Sequence, residues 1–596
     1  MSRKKRNKHK RSRNKNPKKR TSLEKTSKKV DDLFKTALQH HQAMQLQEAE
    51  TLYRQILLIN PDHFDALHNL GVLAYETKRY EISISLINKA ITINPNVPNC
   101  YCNLGILHND LGKPEEAISY CKKAIELNPD FAEAHNALGD VLNKTGKAEE
   151  AIGYFKQAIK LKPGYAEAYN NIGILLNSLG KPEEAISYCR KAIKVKPDYA
   201  EAFANLAYFF ESTNRLNDAL EAAEQAMQYK QNLPIANLVT AKLERRKGNL
   251  QAGLDLIEKI NVESSHFSYK AIILNEKGIL YDRLGSYDKA FNCFSVSNAL
   301  ISQESLNGQI YKSSYITEIS QLESFFLNLH KKSCDRPVYQ NKGPNPIFLV
   351  GFPRSGTTLL KQILTVRENV QVIEEKPLVN AMIERLAAYD LRYPDDLCQI
   401  DFDVIEDLKK VYFIKMSEYI NCRHDTIIID KFPLNIIHIG LIHRVFPKSK
   451  IIVALRHPAD VCLSSFIQNF KLNVAMVHFF TIEDAANLYN LVMGLWSTYV
   501  NLFPLNIHVV KYEDIVSDFN RETRKLFEFI EIPWDPSVRK YNQHAKSLQR
   551  IRTPSYHQVS EPIYTRSLYR WKNYASYLKP VLESLKGFVE KFGYDL

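Results

Sequence analysis

Pro61, Pro95, Pro129, Pro163 and Pro197 stand 34 residues apart, each preceded by Asn or Lys. Gly71, Gly105, Gly139 and Gly173 keep the same step and are followed by Ala207. Two further columns are alanine: Ala90, Ala124, Ala158, Ala192 and Ala226, then Ala117, Ala151, Ala185 and Ala219. Such a chain cannot close around a single core. Each unit exposes an apolar face that only the next unit can cover, so the units must stack. The small residues let two antiparallel helices approach closely, and the proline stops the second helix. The segment "DLFKTALQHHQAMQLQEAETLYRQILLI" before Pro61 has the same helix-pair pattern. Gly248 and Gly253 continue the lattice, and "LNEKGILYDRLGSYDKAFNCFSVSNAL" (274–300) follows out of phase after a short insertion. Residues 30–300 are expected to hold about eight repeats.

This period with these small-residue columns is the tetratricopeptide signature, which predicts an all-α superhelix with a concave face. One column carries chemistry. Asn69, Asn103, Ala137, Asn171 and Asn205 fall on the first helix of successive pairs, the helix that lines the concave face. An amide there can pair with the N–H and C=O of an extended polypeptide whatever its side chains. The column resembles the asparagine ladder of the O-linked N-acetylglucosamine transferase superhelix, interrupted at Ala137. That resemblance implies acceptor-binding asparagines; the competing role is bridging between neighbouring helices.

The formal net charge of +14 suggests a nucleic-acid partner until it is located. Residues 1–29 hold 15 Lys/Arg and one acid, Glu24, so the remaining chain is balanced. The body is therefore not a basic protein, and no specific nucleic-acid partner is expected. The tail "MSRKKRNKHKRSRNKNPKKR" lacks the apolar stretch needed to fold or to act as a secretory signal. No later stretch reaches the roughly 18 apolar residues of a membrane span. The nine cysteines show no paired metal-type spacing, so reduced thiols in a cytoplasmic setting are expected.

Beyond the lattice, 301–343 reads as a linker and 344–596 as a second domain. Its β-rich runs are "PIFLV" (346–350), "DTIIID" (425–430), "KIIVAL" (450–455) and "NIHVVK" (506–511), alternating with helical stretches. Near-continuous apolar strands suit a parallel sheet covered on both faces, hence a three-layer α/β domain. Its first strand runs into "GFPRSGTT", a phosphate loop in P-loop register: Gly351, four residues, Gly356. The lysine that reaches the terminal phosphates of a nucleoside triphosphate is absent. Thr357 occupies that position, and Arg354 sits inside the loop. Asp430 stands where a metal-holding acid would be expected, but Lys431 follows it directly, an odd neighbour for a metal site. A second anion site, separate from the first, is expected where "KIIVALRHPADVCLSSF" sets Arg456 at a strand end and Ser464 in the following helix. A ligand with a diphosphate-like 5′ group and a further ribose phosphate would fill both.

Together "PRSGTT" and "RHPADVCLSS" resemble the sulfotransferase family, and residues 344–580 are most similar to tyrosylprotein sulfotransferase. The resemblance implies 3′-phosphoadenosine-5′-phosphosulfate as sulfuryl donor and no metal. It implies that Arg354, Ser355, Gly356, Thr357 and Thr358 hold the 5′ phosphosulfate, and Arg456 with Ser464 the 3′ phosphate. "RSGTTLLKQILTVRENVQVIEEK" puts the family's catalytic base on Glu375, and "DKFPLN" its transition-state lysine on Lys431. "VVKYEDI" puts a nucleotide-contacting tyrosine on Tyr512. "TPSYHQVSEPIYTRSLYRW" puts a catalytic serine on Ser555 and a basic nucleotide contact on Arg570. Gln468 and Pro377 depart from the family, which has arginines there, on the 3′-phosphate and acceptor sides respectively.

These residue types suit the chemistry in themselves. A phenol has a pKa near 10, so a carboxylate base such as Glu375 assists its attack. Arg354, Lys431 and the Ser555 hydroxyl can stabilise the charge that builds as the bond to phosphate breaks. The expected activity is sulfuryl transfer to a hydroxyl, foremost protein tyrosine, with the repeats recruiting the polypeptide. The alternatives are a glycan or small-molecule acceptor, or a repeat scaffold with a degenerate nucleotide domain.

Overall fold

The computed structural model describes residues 17–262, 267–307, 312–329, 345–420, 426–470, 472–547 and 563–596. These form two compact units, one of residues 1–210 and 224–231, the other of residues 211–223 and 232–596.

In the first unit the lattice becomes stacked helix pairs such as Phe64–Glu76 with Tyr80–Ile93 and Pro98–Asp110 with Pro114–Leu127. The glycine column works by close approach. A Cβ on Gly71 would lie 2.7 Å from Ile87 Cγ1, and one on Gly139 2.8 Å from Phe155 Cδ1. In each case the obstructing residue is 16 positions later, on the second helix of the pair. The alanine columns close the rest of the contact, with Ala90, Ala117, Ala124, Ala151 and Ala158 all fully buried.

The second unit contains the last helix pairs and the α/β domain. Gly278 and Phe294 repeat the 16-residue relation, with a Gly278 Cβ 2.5 Å from Phe294 Cε1. The pair Phe267–Arg283 and Tyr287–Asn307 is therefore built like its predecessors despite its shifted phase. Residues 312–327, within the stretch read as a linker, form a helix. Tyr315, Ile319, Leu322 and Phe326 follow helical spacing and enter the main core of the α/β domain. That apolar stripe was hidden by the loop-like composition after it.

Five parallel strands, β1 (Ile347–Gly351), β2 (Val370–Glu374), β3 (Ile427–Lys431), β4 (Lys450–Leu455) and β5 (Asn506–Lys511), form one sheet in the order β2-β3-β1-β4-β5. Alternation along the strands supplies two cores. Phe348, Val350, Ile373, Ile451 and Val453 face one layer, and Ile347, Leu349, Val370, Ile429 and Ile452 the other. The domain is thus three-layered with a parallel sheet, and all five carboxyl ends open on the same edge, where open α/β sheets bind ligands.

No helix among the described residues is long and apolar enough to cross a membrane. Six described cysteines are free and buried, whereas Cys398 is disulfide-bonded. Reduced thiols throughout are therefore not what the structure has.

Candidate functional site

Every strand delivers a candidate residue at or just beyond its carboxyl end. Glu375 follows β2, Lys431 ends β3, the 352–356 loop follows β1, Arg456 follows β4 and Tyr512 follows β5.

The β1 loop turns sharply at two glycines. Gly351 (φ 151°) leaves no space for a side chain, since a Cβ would lie 2.6 Å from the Ala454 carbonyl oxygen. Gly356 (φ 101°) starts the helix Thr357–Leu364, whose first N–H groups face the loop. Arg354 adopts φ 73°, a left-handed conformation that a bulky residue takes only when its surroundings impose it. Its Nε donates to Ser464 Oγ at 3.0 Å. The two anion motifs, expected to be separate, are therefore joined: β1 and β4 are adjacent in the sheet, and their loops meet.

One cavity with an empty volume of about 690 Å³ covers both motifs. Arg354, Gly356, Thr357, Thr358, Arg456, Ser464, Tyr512 and Arg570 all line it. Ser355 is buried beside them, its N–H donating to Phe352 O at 3.2 Å. Arg456 Nη2 donates to Ser567 O at 2.5 Å, and its guanidinium lies 4.9 Å from the Tyr512 ring centre. Tyr512 OH shares a 2.7 Å hydrogen bond with Ser567 Oγ. Burial, with the positive charges of Arg456 and Arg570, brings the Arg354 pKa down to about 10. Three guanidiniums in one cavity repel one another, and an anion with several charges relieves that repulsion. Arg456 Nε is buried with no hydrogen-bond partner, an orphaned donor on a residue that lines the cavity.

At the β2–β3 end, Lys431 is 1% exposed and its Nζ lies 2.5 Å from Glu375 Oε1 and 3.4 Å from Glu374 Oε1. Lys361 Nζ holds the other Glu374 oxygen at 2.6 Å. Burial pushes the Glu374 carboxyl up, but Lys431 and Lys361 outweigh it and hold the pKa below the usual carboxylate range. Glu375 has φ 50°, and its N–H donates to Lys431 O at 2.8 Å, one step beyond the β2–β3 ladder. The left-handed turn returns its carboxylate to the lysine on the neighbouring strand.

Asp430 turns away from this site. Tyr412 OH donates to its Oδ2 at 3.0 Å in the core, and burial raises its pKa to about 7. Pro377 caps the helix Leu378–Leu386, and Gln468 ends the helix Pro458–Ile467 with Nε2 on Asn469 O. Ser555 lies outside the described residues. Three contacts were not anticipated: Ser567, Lys361, and Asp282, whose Oδ1 accepts from Arg570 Nε at 3.0 Å. Lys361 and Ser567 lie within the quoted motifs without a role of their own there, and Asp282 lies in a repeat.

In the first unit the asparagine column links repeats. Asn171 Nδ2 donates to Asn136 Oδ1 at 3.2 Å, Asn205 Nδ2 to Asn170 Oδ1 at 3.0 Å, and Asn103 Nδ2 lies 2.9 Å from His68 Nε2. Each partner is 35 residues earlier. Asn69 instead bonds Asp65 O on its own helix. Asn205 is 4% exposed, whereas Asn103 and Asn171 line a groove of about 1230 Å³ with Asn136, Tyr165 and Tyr199. Asn103, Asn171 and Asn205 thus all bridge neighbouring repeats, and Asn103 and Asn171 line the groove as well.

The comparisons agree with this architecture. Residues 346–536 match the sulfotransferase family, and tetratricopeptide repeats match within 38–199. The chain carries a sulfotransferase domain joined to a tetratricopeptide array. An uncharacterized protein of Aquifex aeolicus is 29% identical over 309 residues, covering 50% of this chain and 39% of that protein. The chain therefore spans well under half of that relative. Protein-tyrosine sulfotransferase 1 of Danio rerio is 23% identical over 255 residues, 40% of this chain and 69% of that enzyme. Nodulation protein NoeE of Sinorhizobium fredii is 28% identical over 126 residues, 20% of this chain and 30% of that protein.

Proposed function

We propose that the protein transfers a sulfuryl group from 3′-phosphoadenosine-5′-phosphosulfate to a polypeptide hydroxyl, tyrosine above all, without a metal. The observation that carries the donor reading is the single cavity in which Arg354, Arg456 and Arg570 converge beside Thr357, Thr358 and Ser464. The orphaned Arg456 Nε fits the ribose 3′ phosphate. The loop N–H groups and threonine hydroxyls suit the 5′ phosphosulfate. Arg354, on its hydrogen bond to Ser464, stands between the two groups.

When bound, the donor supplies an activated sulfuryl group. Glu375 takes the proton from the attacking hydroxyl. Its Oε1 is engaged by Lys431, while the carboxylate remains 45% exposed toward an acceptor. Lys431 and Arg354 place positive charge where negative charge grows on the bridging and sulfuryl oxygens. Tyr512 and Ser567 hold Arg456 in position through their mutual hydrogen bond and the Ser567 carbonyl.

The likeness to protein-tyrosine sulfotransferase 1 supports tyrosine as the acceptor residue. The groove lined by Asn103, Asn136 and Asn171 supports recruitment of an extended polypeptide by the repeats. Titration calorimetry with adenosine 3′,5′-bisphosphate in EDTA tests the donor reading. Saturable binding unaffected by added magnesium is expected. Binding that requires magnesium, or preference for a nucleoside triphosphate, would refute it.

A further inference from the structure

Residues far outside the sulfotransferase match reach its nucleotide cavity. The helix Phe267–Arg283 belongs to the last repeat pair, yet Asp282 Oδ1 accepts from Arg570 Nε at 3.0 Å and Nη2 at 2.7 Å. Tyr574 OH donates to the same oxygen at 2.7 Å. Burial works to lower the Arg570 pKa, but the Asp282 carboxylate overcomes it and keeps the guanidinium firmly charged.

The same repeat pair also holds the helix that carries Ser464. The last carbonyls of any helix lack intrahelical partners. Here Asn275 Nδ2 donates to Ile467 O at 2.7 Å and Asn298 Nδ2 to Phe466 O at 2.9 Å. Both amides are buried, and Phe291 stacks on Phe466 at 5.0 Å between ring centres. One repeat therefore fixes two walls of the cavity, the Arg570 wall and the Ser464 wall.

We infer that Asp282 is a positioning residue for sulfuryl transfer, orienting Arg570 toward the donor's 3′ phosphate, and that the last repeat is a working part of the nucleotide site. The inference rests on the donor reading above. Its sign is informative. A carboxylate near an anion site weakens anion binding by charge alone, so removing it should strengthen binding unless orientation dominates.

The test uses the full chain and two ligands, adenosine 3′,5′-bisphosphate and adenosine 5′-monophosphate. Asp282→Asn should weaken the bisphosphate about tenfold, as for loss of one well-aligned charged contact, and leave the monophosphate unchanged. Asp282→Glu should recover part of that loss. Asp288→Asn is the folding control. It loses the 2.8 Å bond from Tyr577 OH on the same repeat pair without touching Arg570, and should leave the ratio of the two affinities at the parental value. An unchanged or improved bisphosphate affinity in Asp282→Asn would overturn the inference while leaving the donor reading intact. So would an equal loss for both ligands, or the same loss in Asp288→Asn. A parent protein that binds no bisphosphate would overturn both.

Discussion

Lys431 Nζ stands 2.5 Å from Glu375 Oε1, and the two side chains differ sharply in exposure, 1% against 45%. The lysine is fixed by the fold, since two carboxylates and the end of β3 enclose it. The glutamate is the accessible partner. We propose on this geometry that the accessible Glu375 carboxylate serves as the base and the buried Lys431 as the cation that stabilises developing charge.

Glu375→Gln should therefore lower kcat by about 10²–10⁴, the usual range for a lost general base, with donor affinity unchanged. The amide oxygen can still accept from Lys431, so the backbone turn at φ 50° survives. Parental turnover across pH 6 to 9 in a steady-state assay would remove Glu375 from the role.

Arg456→Ala removes both the Ser567 tether and the orphaned Nε. Loss of such a charged contact should weaken adenosine 3′,5′-bisphosphate by about 2–3 kcal/mol and barely affect an analogue lacking the 3′ phosphate. Calorimetry on both ligands checks this. Equal losses would make Arg456 structural.

Asp430 predicts a pH effect on stability. Its folded pKa is raised to about 7 by burial, above the unfolded value of 3.8, so the folded state holds the proton more tightly. Stability should then fall as pH rises through the interval between these values and stay at the lower level beyond it. The full cost is at most roughly 4 kcal/mol. Asp430→Asn should flatten that slope in chemical denaturation from pH 4 to 8. The same slope in the variant would place its origin elsewhere.

The asparagine column divides into two predictions by exposure. Asn103→Ala with Asn171→Ala should raise KM for a long protein acceptor, each amide contributing about 0.5–1.5 kcal/mol, with kcat and activity on a free phenol unchanged. Asn205→Ala should lower Tm without changing KM, because its amide is buried on Asn170. If Asn103→Ala with Asn171→Ala leaves KM at the parental value, the acceptor is recruited by another surface.

What was legible in the sequence depended on distance along the chain. Gly351, Arg354 and Gly356 occupy six residues, and their spacing alone sets the turn and the helix start. Arg456 and Ser464 were legible for the same reason, being eight apart. That Arg354 bonds Ser464 was not, because adjacency of β1 and β4 arises from sheet order. Asp282 lies 288 residues before Arg570, and nothing in "ILYDRLG" distinguishes it from a surface repeat acid. The asparagine column was visible as a period, but full burial of Asn205 against half-burial of Asn103 and Asn171 depends on packing of neighbouring repeats. The helix at 312–327 is masked in the sequence because its stripe of Tyr315, Ile319, Leu322 and Phe326 precedes a loop-like stretch.

Sulfuryl transfer to protein tyrosine is measured most simply as transfer of labelled sulfate from 3′-phosphoadenosine-5′-phosphosulfate in EDTA. Long polypeptides containing tyrosine, the same polypeptides with phenylalanine in its place, and oligosaccharides should be compared side by side. Label on the tyrosine polypeptides alone, recovered as tyrosine sulfate and lost in Glu375→Gln, is the predicted result. Label on oligosaccharides, label retained after tyrosine is replaced, or transfer that persists in Glu375→Gln would contradict it.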